Sequence, residues 1–327
     1  MTFWVGSSGS ATGFGMLRSI RDRWGDAVRL VALDTGPPEL NASSVVADSY
    51  MRVPPVAAAD YAETLERFLQ RVHAPTVYIP IYDSEILAAA SRAEAGGLPS
   101  SLRILVAGCA RSIANCNDKY LAYQTLTAAG LPAACTMLPD AVRSPGEPFV
   151  MKPRYGVASS VALITSQAEF VSHRSGADAT EFVVQELCDE PEITIDAFIG
   201  RAGGPNAGIV CAIARERLQT KAGVATKCRL FHDGRLADLS RQIAGAFQLS
   251  GSFCFQVMPS RTDRGWRVTD VNPRSGGGTR MSAAIGSDFM AANVADFLEE
   301  PVGDLLRPRS LPQFVVRQHA EYVTTPT

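Results

Sequence analysis

The segment Asp270-Val271-Asn272-Pro273-Arg274-Ser275-Gly276-Gly277-Gly278-Thr279 decides both the fold and the chemistry of this chain. It follows residues 265–269, where alternating apolar and polar residues predict a strand. Residues two apart on a strand point to one face, so Asp270 and Asn272 present a carboxylate and an amide oxygen together. Mg²⁺ prefers such ligands, Arg274 suits a phosphate, and the glycines let backbone N–H groups approach an anion. The segment therefore predicts a metal–nucleotide site.

Composition narrows the class of protein. The chain has 327 residues, of which 46% are hydrophobic and 20% charged, as expected for a globular protein of two or three subdomains. A net charge of −2 gives no electrostatic basis for nucleic-acid binding. The 7 cysteines lack zinc-type or CxxC spacing, and no apolar run is long enough to span a membrane. We therefore expect a cytoplasmic protein with reduced thiols that binds neither nucleic acid nor a membrane.

The first hundred residues alternate between strands and helices, which predicts an α/β region with a βαβ opening. We expect strands at 2–5, 28–34, 76–81 and 104–106, and helices from residue 14 onwards, over 61–72 and from residue 82 onwards. The glycine-rich loop 6–13 joins the first strand to the first helix but does not match GxGxxG closely. Two interpretations of this loop stay open: a tight turn that binds no nucleotide, and a dinucleotide site.

The rest of the chain predicts a mixed segment followed by a mostly antiparallel sheet. Asn117 or Asp118 can cap a helix over 120–129, which Gly130 ends. Further helices are expected at 168–173, 236–249 and 289–298. The expected strands are 148–153, 161–164, 182–187, 192–199, 207–216, 227–229, 252–258, 266–271 and 311–322.

Six segments, in order over residues 113–300, resemble the ATP-grasp enzymes, closest in pattern to the carbamoyl-phosphate-synthetase-like ligases. They are 117–119 with 129–132, 150–153, 185–187, 192–196, 255–256 and 270–274. The resemblance implies an ATP-grasp fold, α/β with an α+β C-terminal part. It also implies three domains: a Rossmann-like pre-ATP-grasp domain at 1–112, a lysine-bearing small domain with a phosphate lid at 113–188, and a C-terminal domain with the Mg/ATP and substrate site at 189–327.

The resemblance also implies an ATP site. Lys119 and Lys152 would contact phosphates, against the alternative that both are solvated surface lysines. Glu192 would accept hydrogen bonds from the ribose, although Asp189 and Glu190 are near enough to leave that assignment open. The adenine hinge and the phosphate lid are implied at Glu186, Leu187, Gly156, Ser159 and Ser160. An ordinary hairpin turn is the alternative for the lid.

The implied metal ligands are Gln256, Asp270 and Asn272, with Mg²⁺ as the metal and Mn²⁺ as an alternative. Gln256 stands where many members carry a carboxylate, and Asp270 replaces the usual glutamate with a shorter side chain. Gln256 lowers the formal charge of the metal site, and together the two departures would weaken one metal position. Arg274 would stabilise the transferred phosphoryl group, against the alternative of a structural ion pair with Asp270.

The acceptor side of the implied site is less sharply defined. A contact with the acceptor carboxylate is implied for the residues Gly276, Gly277, Gly278, Thr279 and Arg280. Arg280 could act as a bidentate clamp. Within the basic stretch 215–229, Lys227 is implied as a catalytic phosphate contact, against the alternative of a solvated basic loop.

Together these features predict an ATP-dependent carboxylate–amine ligase that forms an amide through an acyl phosphate and releases ADP and phosphate. Its partners would be a small carboxylate and a small amine, and a homodimer is the default assembly. Three alternatives stay open. They are a small-molecule kinase on the same fold, a nucleotide-binding regulator with a weakened metal site, and an oxidoreductase that binds NAD(P) at residues 6–13.

Overall fold

The computed structural model describes residues 1–70, 72, 74–142, 148–156, 161–175, 179–221, 223–318 and 320–324, without the side chains of residues 174, 175 and 179. Within these residues the strands form three sheets of five, four and six strands. Each sheet uses a continuous part of the chain, and the site described below lies where they meet.

The first sheet is parallel, with strand order β3-β2-β1-β4-β5. Its strands are β1 (Thr2–Val5), β2 (Arg29–Asp34), β3 (Ser49–Arg52), β4 (Thr76–Ile79) and β5 (Leu102–Ile104). The helices are α1 (Ala11–Trp24), α2 (Ser43–Val46), α3 (Tyr61–Gln70), α4 (Asp83–Glu94) and α5 (Ala110–Asn117). This strand order follows the Rossmann order 3-2-1-4-5, so the predicted α/β opening is confirmed.

The second sheet is antiparallel, with strand order β6-β9-β7-β8. Its strands are β6 (Thr136–Met137), β7 (Phe149–Pro153), β8 (Ala162–Ile164) and β9 (Phe182–Glu186). Helix α6 (Lys119–Ala128) precedes it, and α7 (Gln167–Ser175) joins β8 to β9. The Asp118 side chain caps α6 by accepting from the Tyr120 and Leu121 N–H groups, as the sequence predicted.

The third sheet is antiparallel, with strand order β14-β13-β10-β11-β12-β15. Its strands are β10 (Ile193–Ile199), β11 (Val210–Lys221), β12 (Val224–Phe231), β13 (Gly251–Pro259), β14 (Trp266–Asn272) and β15 (Gln313–Val316). Helices α8 (Gly234–Phe247) and α9 (Phe289–Phe297) complete the region. Ile193, Ile195 and Ala197 face the core under α8, so the alternate residues of β10 face the other way.

Several elements differ from the sequence prediction. The expected strand 311–322 is limited to β15, an edge strand on which Phe314 and Val316 are exposed. Helix α1 begins three residues early, since the Ser10 side chain accepts a hydrogen bond from the Gly13 N–H. Helix α5 and the short strands β3 and β6 were not predicted, because they are short and their apolar residues follow no clear period.

Two further expectations bear on the class of protein. All seven cysteines are free thiols. None of the helices among the described residues combines the length and the apolar character that a membrane crossing requires.

Candidate active site

A row of polar side chains crosses one face of the third sheet. Asp270 lies directly opposite Gln256, which lies opposite Thr194, which in turn lies opposite Arg215. Directly opposed residues of antiparallel strands point to the same face. The other face carries the apolar core. The row therefore brings together two of the three predicted metal ligands, and Asn272, two residues after Asp270, lies on the same face.

The second sheet supplies a lysine to this row. Lys152 on β7 is 7% exposed, and its Nζ donates a 3.0 Å hydrogen bond to the Thr269 carbonyl beside Asp270. Burial lowers the pKa of Lys152, and the charge of Lys119 lowers it further, while Asp270 acts in the opposite direction. The lysine is thus a desolvated cation in the cleft between two sheets rather than a solvated surface residue.

Lys119 lies at the first turn of α6, only 4% exposed, and its Nζ donates to the Gly156 carbonyl at 2.8 Å. Gly156 has φ +71°, a left-handed conformation that suits glycine. The loop is anchored next to it, because the Arg154 guanidinium pairs with Asp118 at 2.7 Å. Lys119 therefore contacts the start of the predicted lid, whereas Lys152 contacts β14. Its other two members, Ser159 and Ser160, fall outside the described residues.

The predicted hinge and ribose contact follow β9. Glu186 ends this strand, and its N–H donates to the Cys135 carbonyl at 2.9 Å. Leu187 comes next, and Glu192 precedes β10. One oxygen of Glu192 accepts from the Arg217 guanidinium, whereas Oε1 is buried and lacks a hydrogen-bond partner. Burial raises the pKa of Glu192 despite the opposing effect of Arg217.

Arg274 does not form the ion pair with Asp270 that the sequence left open. Its guanidinium pairs with Asp83, the first residue of α4, through both Nε and Nη2, the latter at 3.0 Å. Burial opposes the charge, but Asp83 outweighs it and raises the pKa of Arg274. Asp83 was missed because an acid in the first turn of a helix is unremarkable in a sequence.

The glycine loop after Arg274 rests on a buried ion pair. Arg215 Nε donates to Asp196 at 3.0 Å, with both side chains nearly inaccessible to solvent. A Cβ on Gly278 would lie 2.2 Å from Arg215 Nη1, whereas the nearest neighbour of one on Gly276 would be the Cys254 sulfur, at 3.2 Å. Only glycine at position 278 therefore lets the loop lie on this guanidinium. The sequence analysis did not single out Asp196, which supports the loop through its ion pair with Arg215.

Thr279, predicted to contact the substrate, lies beneath this loop. Its side chain is 1% exposed, donates to Asp196 at 2.6 Å and accepts from the Gly276 N–H at 2.8 Å. The hydroxyl is therefore used to hold the loop against the ion pair. Gly277 sits differently, because its carbonyl accepts a 3.0 Å hydrogen bond from Arg317 near the C-terminus.

Two predicted basic residues, Lys227 and Arg280, are placed differently from the predicted phosphate lysines. Lys227 is exposed and adjoins Cys228, which is buried opposite Arg217, so alternation directs the Lys227 side chain to the other face of the sheet. This position argues against the catalytic role predicted for Lys227. Arg280 lines a cavity, but its guanidinium is already paired with Asp22 and, at 2.9 Å, with Asp288.

The first glycine loop, residues 6–13, is a tight turn. Asp34, at the end of β2, accepts a 2.7 Å hydrogen bond from the Gly9 N–H. A Cβ on Gly6 would lie 2.0 Å from the Glu85 carboxylate, so this acid covers the loop. Intramolecular acceptors take the backbone N–H groups of Gly6, Ser8, Gly9, Ser10 and Gly13. An anionic pyrophosphate would meet occupied donors and a carboxylate, which argues against the dinucleotide interpretation.

The side-chain oxygens of the polar row are of a kind that can bind a metal ion. No cluster of three or more His, Cys, Asp or Glu side chains with metal-binding geometry occurs among the described residues. Asp270, Gln256 and Asn272 instead offer one carboxylate and two amide oxygens. This set fits Mg²⁺, which binds through one or two carboxylates and completes its shell with phosphate oxygens and water.

Part of the chain matches a known protein family. Residues 178–321 match a family model described as ATP-grasp in the biosynthetic pathway with Ter operon. No curated protein matches the chain.

Solved structures match over nearly the whole chain. One is N5-carboxyaminoimidazole synthetase from Staphylococcus aureus complexed with ADP, with a TM-score of 0.73, 15% identity, and 93% of this chain and 78% of that chain covered. The biotin carboxylase domain of Hydrogenobacter thermophilus 2-oxoglutarate carboxylase has a TM-score of 0.73 at 13% identity, covering 91% and 70%. L-amino acid ligase from Bacillus licheniformis has a TM-score of 0.69 at 14% identity, covering 94% and 77%.

These matches agree with the arrangement of the three sheets. They confirm the resemblance and the fold class that the sequence predicted. The chain therefore has the ATP-grasp fold with a Rossmann-like region at its N-terminus, and its residues 178–321 match an ATP-grasp family model.

Proposed function

We propose that this protein is an ATP-dependent carboxylate–amine ligase that forms ADP, phosphate and an amide through an acyl phosphate. One observation carries the proposal: buried Lys152 of one sheet reaches the strand of the other that bears Asp270. Such a pairing of a desolvated cation with hard oxygen ligands suits a triphosphate lying between the sheets. The similarity to ADP-complexed and ligase structures supports the same class.

Each part of the nucleotide has a matching group. Lys119 and Lys152 bind phosphates, since both are buried cations and neither forms an ion pair with a carboxylate among the described residues. The unpartnered Oε1 of Glu192 accepts from a ribose hydroxyl, because a buried acceptor without a donor costs free energy that a ligand can restore. Backbone groups at Glu186 and Leu187 hold the adenine.

Asp270, Gln256 and Asn272 would hold Mg²⁺ together with the phosphates. When bound, the ion neutralises charge on the β- and γ-phosphates and polarises the phosphoryl group. The protein itself holds these three oxygens on one rigid sheet, so their spacing is fixed before the nucleotide arrives.

Arg274 orients the acceptor and stabilises the transferred phosphoryl group, and Asp83 holds its guanidinium in place. In the first step a carboxylate oxygen of the substrate attacks the γ-phosphorus and the bond to ADP breaks. In the second step the amine nitrogen attacks the acyl carbon, phosphate leaves, and the proton from the amine passes to phosphate. No side-chain base is required for this balance.

The test is ADP release by the purified protein with Mg-ATP against paired libraries of carboxylic acids and amines. A ligase releases ADP fully only when both substrates are present, and amide and phosphate accumulate in equal amounts. ADP release with a single acceptor and no amide would instead identify a kinase. Tight ATP binding with no turnover across the libraries would identify a regulator.

Two variants and a matched control assign the roles. Arg274→Ala should lower kcat about 10²- to 10³-fold while ATP affinity is kept, because its charge is needed mainly in the transition state. Lys152→Ala should mainly weaken ATP binding. Lys227→Ala, exposed on the other face of the sheet, is the control and should leave both unchanged.

The domain limits at residues 112 and 188, the cytoplasmic location and the homodimer stay predictions. Use of Mn²⁺ in place of Mg²⁺ also stays a prediction, and metal replacement in the ADP assay tests it directly.

A further inference from the structure

A cavity of about 1050 Å³ opens at the edge of the parallel sheet where β1 and β2 end. The tip of the β11–β12 hairpin and the segment after β15 form its opposite wall. Apolar side chains line the middle, with the rings of Phe14 and Tyr322 packed edge to face at 5.6 Å. This volume suits a ligand larger than a single small amino acid.

One wall of the cavity carries cations that the described part of the chain does not neutralise. Arg317 is half-buried, its Nη1 donates to the Gly277 carbonyl at 3.0 Å, and no described carboxylate lies within 4.0 Å of it. Burial lowers the pKa of Arg317, and the nearby charge of Arg215 lowers it further. Lys221, on the same wall, also lacks a described acidic partner.

The neighbouring Arg280, by contrast, is neutralised by carboxylates of the protein. It lines the same cavity but pairs with Asp22 and Asp288. Arg317 is therefore not held by the fold through an ion pair, although it sits beside the glycine loop that follows Arg274. A desolvated cation in that position indicates an anionic group of a ligand.

The opposite wall carries a carboxylate without a cation. Asp34 accepts 2.7 Å and 3.2 Å hydrogen bonds from the Gly9 and Gly36 N–H groups, and no described basic side chain forms an ion pair with it. A carboxylate has about four acceptor positions, so roughly two remain for a ligand. Glu85 adds negative charge on this wall but is saturated by its own hydrogen bonds.

We propose that the cavity binds a zwitterionic acceptor of dipeptide size. Its carboxylate binds Arg317 and Lys221 beside Gly277, its ammonium group binds Asp34, and its apolar part lies against Phe14 and Tyr322. The inference rests on the proposed function in one respect: the carboxylate at Arg317 is the one that receives the phosphoryl group.

Binding of chosen probes tests this. The probes are dipeptides with leucine or phenylalanine at either position, each compared with its N-acetyl form, which lacks the amine, and its C-terminal amide, which lacks the carboxylate. Calorimetry on the full chain gives the dissociation constants. The free dipeptide should bind about tenfold to a hundredfold more tightly than either blocked form, since each charge-assisted contact is lost in one of them.

Variants assign each charge to a wall. In Arg317→Gln the free dipeptide should lose most of its advantage over the amidated form, since only Lys221 then faces the carboxylate, and in Asp34→Asn the free and acetylated forms should bind equally. Arg309→Gln and Asp304→Asn change exposed residues outside the cavity and should keep the wild-type discrimination. Arg317→Gln should also melt at the wild-type temperature without ligand, because no ion pair is broken.

The outcomes separate this inference from the proposed function. The titrations are repeated with a non-hydrolysable ATP analogue and Mg²⁺. Dipeptide binding without nucleotide binding would contradict the ligase and keep the zwitterion site. Nucleotide binding with no dipeptide bound, or with blocked forms bound as tightly as free ones, would overturn the zwitterion site alone. A large loss of stability in Arg317→Gln would overturn it as well.

Discussion

A buried glutamate, Glu85, and a half-buried one, Glu192, mark two regions of this protein and differ in their hydrogen bonds. Glu85, at the edge of the parallel sheet, accepts from the Tyr78 and Ser7 hydroxyls and from two backbone N–H groups. Glu192, in the cleft between the antiparallel sheets, is held by Arg217 on one oxygen and leaves Oε1 without a partner. A saturated carboxylate serves the fold, whereas an unsaturated one is available to a ligand.

The two glycine-rich loops, residues 6–13 and the loop after Arg274, differ in the same way. Loop 6–13 has the composition of a phosphate loop, yet its donors are used internally and the Glu85 carboxylate covers Gly6. The loop after Arg274 rests on a buried ion pair, and its Gly277 carbonyl contacts the unneutralised Arg317. Glycine content alone therefore does not identify an anion site, because the free donors and the neighbouring charges decide it.

The largest effect is expected from breaking the ion pair beneath the second loop. Asp196→Ala leaves Arg215 buried and uncompensated, which should lower the free energy of unfolding by about 3–5 kcal/mol. Urea denaturation measures this. Asp238→Ala, which removes an exposed pair with Arg241, is the control and should cost under about 1 kcal/mol. Equal losses in the two variants would contradict the supporting role of Asp196.

A smaller loss is expected at the saturated glutamate. Glu85→Gln replaces one of the two acceptor oxygens with an amide NH₂ group, which must face either the Tyr78 hydroxyl or the two backbone N–H groups. The free energy of unfolding should therefore fall by about 1–3 kcal/mol. Glu94→Gln is the matched control, since Glu94 is exposed and accepts a single backbone hydrogen bond. A stability equal to that of the control would show that Glu85 is not structural.

The unsaturated glutamate should behave in the opposite way. Glu192→Gln should change the free energy of unfolding by less than about 0.5 kcal/mol but weaken ATP binding about tenfold, as one charge-assisted hydrogen bond to the ribose is lost. Calorimetric titration with ATP measures the affinity. Glu216→Gln, whose side chain pairs with Arg229 on the other face of the sheet, should bind ATP normally.

The smallest expected effect is on the pH dependence of stability. Burial raises the pKa of Glu192 above its ordinary value of 4.5, so the folded state binds this proton more tightly than the unfolded state. Glu192 thus favours folding most below pH 4.5, and this contribution is lost as the pH rises through the raised value. Glu192→Gln lacks the titration. Plots of the free energy of unfolding against pH should differ in slope between the wild type and Glu192→Gln in this window. Parallel plots would contradict the raised pKa of Glu192.

Much of the site followed from local patterns. Alternation along β10 predicts that Thr194 faces away from Ile193 and Ile195, and the hairpin of β13 with β14 predicts that Gln256 lies near Asp270. The order of the six family-like segments then gave the fold. The face that Lys227 occupies could not be predicted, because it depends on the irregular register between β11 and β12 and on the alternation of β12, and the composition of a basic stretch shows neither.

Sequence by itself determined the strand and helix periods, the capped start of α6 and the hard oxygen ligands of β14, because these depend on residues close together in the chain. Only the tertiary structure decided that Arg274 pairs with Asp83, 191 positions away, and that Arg317 and Asp34 face one cavity. Such pairings depend on how the sheets pack against one another. Packing is set by the whole core, so no local pattern records it.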